Sequence, residues 1–272
     1  MSLFLGGVIM YHDPMDYGKA RGMKLLERYL PDAVPFSDLR VIENYDEWKE
    51  VKDSYGSFIF QRVDLPIGNT KYPISNTNGY SHDVSRVLNE AKMQNPDSVL
   101  LVMKTKKPTC VRYLYDGGFN VLFVPDDLII IELVGRGFDG HELTRDLAVH
   151  ERYFVSWSDI PLVDGTVRSL AKTSFKKYYV SPHQYARQHW ERINFLVNEC
   201  KYEMTEVNRN IPVEPERLHD ALIESLFNDV ILPIFKRKAD LLRNDFTQFC
   251  IQGNFVNGKA QPWEMTVDKR WL

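Results

Sequence analysis

The chain has 272 residues, 44% of them hydrophobic, which is ample for one large packed core or two modest ones and too many for a disordered chain. Its 34 basic and 37 acidic residues leave a formal net charge of -3, which argues against bulk electrostatic capture of nucleic acid or of an anionic membrane. Cys110, Cys200 and Cys250 lack the spacing of a zinc site or a redox dithiol, and no run of about 18 apolar residues appears, so a reduced, cytoplasmic protein without a membrane-spanning helix is expected.

Phe4 to Met10 has no basic region before it and reads as a first strand, not a signal peptide. An amphipathic helix follows from about Met15 to Leu30, ended by Pro31. Tyr45 to Tyr55 forms the next, with Asp46 and Glu47 in its first turn, where the helix dipole favours acids, and Gly56 as its stop. Ser57 to Val63 reads as a strand, Ser81 to Gln94 as a helix capped by Ser81, and Ser98 to Lys104 as a strand. This alternation implies a small open α/β sheet. Between them, Asp64 to Gly79 has no hydrophobic period and is a long loop, whose Asn69, Thr70, Lys71, Asn76 and Asn78 suit a polar ligand or turns of their own.

From Thr109 the pattern changes to consecutive strands, Cys110 to Tyr115, Asn120 to Val124 and Leu128 to Val134. Asp116-Gly117-Gly118 and Pro125-Asp126-Asp127 supply the turns. Long helices are expected at Ser181 to Val197 and Pro215 to Arg243, the second kinked or divided at Pro233. A hairpin of Phe246 to Asn254 and Lys259 to Val267, turned by Asn257-Gly258, closes the chain. The fold class is therefore α+β, with a domain at residues 1–97 and a meander-plus-helix domain at residues 98–272.

The segment Asp126 to Arg145 brings a carboxylate, two arginines and several glycines to the end of one apolar strand, and glycine lets a ligand approach the backbone. Here the order of elements and three short stretches resemble the ATP-grasp superfamily of carboxylate-amine ligases. Val99 to Lys104 is similar to the family's strand whose lysine neutralises nucleotide phosphates, with Lys106 as a substitute for Lys104. Tyr115 to Phe119 falls where the family has a glycine-rich phosphate loop, which assigns Gly117 and Gly118. Ile129 to Phe138 resembles the hinge strand, which implies that Glu132, Leu133 and Val134 meet the adenine and ribose. Arg136 and Arg145 would then hold a phosphate or a substrate carboxylate in bidentate fashion. Phe249 to Phe255 and Pro262 to Thr266 resemble the paired strands that present metal ligands, here Gln252 and Glu264. The family usually has an acid on the first strand and a Glu-x-Asn on the second, and Asp268 or nucleotide phosphates would have to complete this set.

The resemblance implies ATP and Mg2+ as cofactors, a nucleotide and a small molecule as partners, and phosphoryl transfer to a carboxylate. Catalysis of that kind works by positioning and charge neutralisation. No Walker loop, Gly-x-Gly-x-x-Gly or Gly-x-Ser-x-Gly is present. Other readings remain open. Glu132 suits pairing with Arg136 or Arg145 at a sheet edge. Pro125-Asp126-Asp127 with Ile131 to Val134 is similar to metal-dependent nucleases, although Val134 stands in the place of the lysine. Asp139, His141, Glu142, His150 and Glu151 suit a metal or an acid-base pair, or a solvated connection. A non-enzymatic interaction protein would use the Asn-rich loop and the aromatic residues Tyr178, Tyr179, His183, Tyr185, His189 and Trp190.

Overall fold

The protein is seen as a computed structural model that describes residues 13–55, 59–67, 79–80, 84–105, 115–124, 128–144, 148–168, 170, 175–237 and 248–267. The strand expected at Phe4 to Met10, all but Tyr115 of the one expected at Cys110 to Tyr115, most of the Asp64 to Gly79 loop, Ser81, Lys106, Pro125 to Asp127, Arg145 and Asp268 lie outside those residues. The chain divides into two compact units, residues 1–27 with 35–109 and residues 28–34 with 110–272.

In the first unit, α1 (Gly18–Tyr29), β1 (Phe36–Ile42), α2 (Tyr45–Tyr55), β2 (Ile59–Asp64), β3 (Gly79–Tyr80), α3 (Val84–Gln94) and β4 (Val99–Thr105) follow in turn. Helix α2 starts at an Asn44 cap, whose Oδ1 accepts from Asp46 N at 3.1 Å and Glu47 N at 3.0 Å. The strands form a sheet in the order β1-β4-β2-β3. All its pairings are antiparallel, so β1 and β2 run parallel to each other with β4 between them. The simple parallel sheet of an open α/β unit is therefore not formed. Trp48, Val51 and Tyr55 of α2 and Val87, Leu88 and Ala91 of α3 share one core with Ile42, Val63, Leu100 and Val102.

Helix α1 is capped from a distance. Asp64 Oδ2, at the end of β2, accepts from Lys19 N and Ala20 N, each at 2.9 Å, and satisfies two of the helix's open N–H groups. Asp64 is buried, so an Asp64→Ala variant is expected to lose about 1–2 kcal/mol in urea unfolding, with Asp64→Asn retaining most of it. Equal stability of Asp64→Ala and the parent would show that these bonds do not hold the helix.

In the second unit β5 (Gly117–Phe123), β6 (Leu128–Val134), α4 (Gly140–Thr144), β7 (Glu151–Ser156), β8 (Leu162–Val163), β9 (Thr166–Val167) and β10 (Lys176–Tyr179) precede the helices. These are α5 (Pro182–Asn194), which runs on through a π turn at Phe195–Glu199, α6 (Met204–Asn210), α7 (Asp220–Ser225) and α8 (Leu232–Lys236). β11 (Phe249–Val256) and β12 (Lys259–Val267) close the unit. A second π stretch, Leu226–Ile231, joins α7 to α8. It lies just ahead of Pro233, which has no N–H to donate into the helical ladder; the wider turn absorbs the break.

Six strands pair antiparallel in the order β10-β7-β6-β5-β11-β12. Alternation along β6 buries Ile129, Ile131 and Leu133 on one face and leaves Leu128, Ile130 and Glu132 half-buried on the other. The β11–β12 hairpin turns on Asn257 (φ 51°) and Gly258 (φ 76°), both left-handed as the two-residue turn requires. Among the described residues no helix is long and apolar enough to cross a membrane.

Candidate functional site

The half-open face of the six-stranded sheet carries a row of polar side chains. Residues directly opposite in a ladder point to the same side, and Glu132 on β6 stands opposite Asn120 on β5 and Arg152 on β7. Asn120 in turn faces Gln252 on β11, and Gln252 faces Glu264 on β12. A polar row thus crosses the sheet as Arg152, Glu132, Asn120, Gln252 and Glu264. One pleat further along, Phe154, Ile130, Leu122 and Cys250 form a second, mainly apolar row. The two rows line a hollow of about 270 Å3, with Asn120, Glu132 and Arg152 beside the apolar side chains.

Within it Glu132 Oε1 accepts from Arg152 Nε at 2.8 Å and also from Arg152 Nη2, while Glu132 Oε2 accepts from Asn120 Nδ2 at 3.2 Å. Asn120 Oδ1 accepts from Cys250 Sγ. Arg152 Nη1 has no hydrogen-bond partner among the described residues, and the side chain is 42% exposed. Lys176 Nζ lies 5.9 Å from the Phe154 ring centroid and 5.3 Å from that of Tyr178, adding a second cation at the rim.

Among the described residues the arginine beside Glu132 is thus Arg152, not Arg136. Arg136 is exposed on the turn after β6, with Nη2 3.5 Å from Asn210 Oδ1, and does not line the hollow. Leu133 and Val134 are fully buried in an inner strand. Their backbones pair with β5 and with residues 150–151, Leu133 O accepting from His150 N at 2.8 Å, so the adenine edge has no open hinge backbone to read there. Gly117 and Gly118 open β5 and pair with Phe255 and Asn254, so they form no hairpin turn. Lys104 is an exposed residue of β4, in the first unit. Gln252 and Glu264 are brought together as expected, but they offer one amide and one carboxylate. Among the described residues no group of three His, Cys, Asp or Glu side chains is placed to hold a metal ion.

Of the acidic and histidine residues after β6, Asp139, Glu142, His150 and Glu151 make internal contacts, with His150 and Glu151 buried. Arg192 donates to Glu142 and Asp139 and, through Nε at 2.9 Å, to Gly137 O. Gly137, at φ 86°, packs so closely on Ile211 that a Cβ would fall 2.4 Å from its Cγ1. Glu151 accepts from Leu218 N at 2.7 Å and from the Tyr153 hydroxyl; it is the first residue of β7, not part of a solvated connection. His150 is only 2% exposed. Its Nδ1 accepts from Gly135 N at 2.8 Å, and burial lowers its pKa to about 4, so the ring is neutral near pH 7 with its proton on Nε2. Tyr185 is buried with its hydroxyl donating to Pro212 O at 2.8 Å, whereas Tyr178, Tyr179 and Trp190 are exposed.

Asn120, Arg152, Phe154 and Cys250 are the site residues that sequence reasoning misses. A period-2 signal does run through Glu151 to Ser156, with Arg152 and Phe154 on the side opposite Tyr153 and Val155.

No protein-family model and no curated protein matches the chain. Among solved structures it is similar to Ca. Korarchaeum cryptofilum ACD1 in complex with coenzyme A, at 10% identity over 92% of this chain and 91% of that one, with a TM-score of 0.44. It is also similar to the dinucleotide-forming acetyl-coenzyme A synthetase 1 of the same organism, in complex with coenzyme A, Ca-AMPCP and HgCl+, at 11% identity over 93% of each chain and a TM-score of 0.47. PH1788 from Pyrococcus horikoshii Ot3 matches at 14% identity over 90% of this chain and 87% of that one, with a TM-score of 0.44. These are distant likenesses of fold, and no residue role is carried over from them.

Proposed function

We propose that the open face of the six-stranded sheet binds a purine nucleotide, and that the chain is an ATP-grasp-like, ATP-dependent ligase that activates a carboxylate by phosphoryl transfer. The observation that supports this reading is the pairing of the two rows: a flat apolar floor for a base, bordered by hydrogen-bonding groups in register. Leu122, Ile130 and Phe154 remove the base from water, while Asn120 and Glu132 meet its polar edge or a ribose hydroxyl. Arg152 and Lys176 supply positive charge at the same rim for the phosphates. Gln252 and Glu264 fit Mg2+ only as partial ligands, with phosphate oxygens and water completing its octahedron, and bound Mg2+ would neutralise phosphate charge. The reading rests on the second unit alone. Its free thiols, Cys200 exposed and Cys250 buried, suit a reducing cytoplasmic setting.

The test is a thermal-shift titration with ATP, ADP and GTP, each with and without Mg2+. Ligand at about 100 times its Kd stabilises a one-site protein by about 2.7 kcal/mol. A Mg2+-dependent shift with ATP is expected, and Glu132→Gln is expected to weaken it at least tenfold, because the amide cannot hold Arg152 as the carboxylate does. Full nucleotide affinity in Glu132→Gln would move the nucleotide off this hollow. No shift with any nucleotide would favour an interaction protein, a reading supported by the exposed aromatics Trp190, at 66%, and Phe195, at 45%.

A further inference from the structure

A second cavity, of about 350 Å3, lies along the same sheet face between the β7–β10 edge and helix α5. Two of its lining residues, His150 and Gln188, each carry a polar atom that is shut off from solvent and lacks a hydrogen-bond partner among the described residues, Nε2 and Oε1 respectively. Buried polar groups are rarely left this way, because an unmet donor or acceptor keeps its full desolvation cost. The two atoms are complementary. With Nδ1 accepting from Gly135 N, His150 Nε2 carries the proton and is a donor, while Gln188 Oε1 is an acceptor. A hydroxyl is the one common group that accepts from the first and donates to the second with a single oxygen. A water would do the same, but it occupies only about 30 Å3, so the cavity has room for a molecule of several heavy atoms. Arg152 also lines this cavity, and its Nη1 is the end of the guanidinium that Glu132 does not use.

We propose that this cavity binds a small hydroxycarboxylate, its hydroxyl bridging His150 Nε2 and Gln188 Oε1 and its carboxylate held by Arg152 Nη1. Gln188 is half-buried on α5, and the bridge requires its side chain to rotate so that the hydroxyl reaches both atoms. The site stands apart from the nucleotide reading: it is lined by different residues except for Arg152, and it would remain if the hollow over Leu122 and Ile130 bound nothing.

The experiment is calorimetric titration of the full chain, without nucleotide, with glycerate, propionate and glycerol. Glycerate has both groups, propionate lacks the hydroxyl and glycerol lacks the carboxylate. Glycerate is expected to bind at least tenfold more tightly than either of the others, which is the discrimination one buried polar contact provides. In Gln188→Leu that preference over propionate is expected to vanish while propionate binding is unchanged. In nitrogen-15 NMR of the parent protein, glycerate and not propionate should shift the His150 Nε2 resonance. Absence of glycerate binding, equal binding of glycerate and propionate, or a preference that survives Gln188→Leu would each overturn the hydroxyl bridge. Glycerol binding as tightly as glycerate would overturn the role of Arg152.

Discussion

Replacing Arg192 by alanine is expected to destabilise the second unit by about 3–5 kcal/mol, because it leaves two carboxylates without their shared cation. The Arg192 side chain is 7% exposed, and its partners Glu142 and Asp139 are 12% and 19% exposed. Glu142 also accepts from Asp139 N at 2.7 Å, so the pair is fixed at the start of α4 and cannot swing out to water. Burial first, and then Asp139, pushes the Glu142 carboxyl up to about 7 even with Arg192 present. A carboxyl whose folded pKa lies above its unfolded value of about 4.5 favours the folded state fully below that value, and the contribution is lost as pH rises through about 7. Without Arg192 the folded pKa rises further, so the deficit of the variant should be small near pH 5 and large near pH 8. His150 titrates in the opposite sense, its lowered pKa favouring the folded state above about 6.5, but it is present in both proteins and cancels in the difference. Urea unfolding of parent and variant at the two pH values measures this. A deficit below about 1 kcal/mol, or one independent of pH, would mean that the three groups are not coupled as the geometry indicates.

Gly118→Ala is expected to cost about 3 kcal/mol, at the upper end for an added methyl group, and to do so without touching any ligand. Its Cβ would fall 2.4 Å from Gly140 N and 2.5 Å from Asp139 C, both main-chain atoms that cannot rotate away. Nor can the 139–140 segment withdraw, because Gly140 N donates to Asn254 Oδ1 at 2.8 Å on β11. Gly165→Ala serves as the comparison. That glycine has a left-handed φ of 73° but nothing within 4 Å, so its cost is backbone strain alone, on the order of 1 kcal/mol. If the two variants lose the same stability, close packing is not the reason for glycine at position 118. A phosphate loop would show the reverse pattern, with nucleotide affinity falling while stability holds.

The proposed hollow and the Arg192 cluster depend on the same strand, β6, in different ways. Glu132 faces the open side over an apolar floor, whereas Val134 packs with Phe138, Leu143 and Tyr185 near the start of α5. Damage at Arg192 would therefore reach nucleotide binding only by loosening the unit. Glu132→Gln should instead change binding with little change in unfolding, because Glu132 sits at a partly solvated rim.

Local chemistry was sufficient where it acts locally. Helix α2 spans Tyr45–Tyr55 and β6 spans Leu128–Val134 as the sequence predicts, since capping, an acidic first turn and a β-branched run need no distant partner. The hairpin at Asn257-Gly258 follows from two residues that tolerate positive φ. The same signal at Asp164-Gly165, with φ of 51° and 73°, marks the β8–β9 hairpin and was equally legible, although the two-residue strands around it offer almost no alternation. Which arginine meets Glu132 was not legible. Arg136 is nearer along the chain, but antiparallel register across β5, β6 and β7 decides the partner, and it selects Arg152. Asp116-Gly117-Gly118 has turn chemistry in isolation, yet the backbone at residues 134–140 presses on those glycines and makes them strand residues. Sequence by itself determined the elements with strong local signals, such as α2, β6 and the β11–β12 hairpin, because each depends on its own residues, whereas it left β7 and β10 unassigned. Only the tertiary structure decided the site, because a sheet face is assembled from strands far apart in the chain and its chemistry is set by their register.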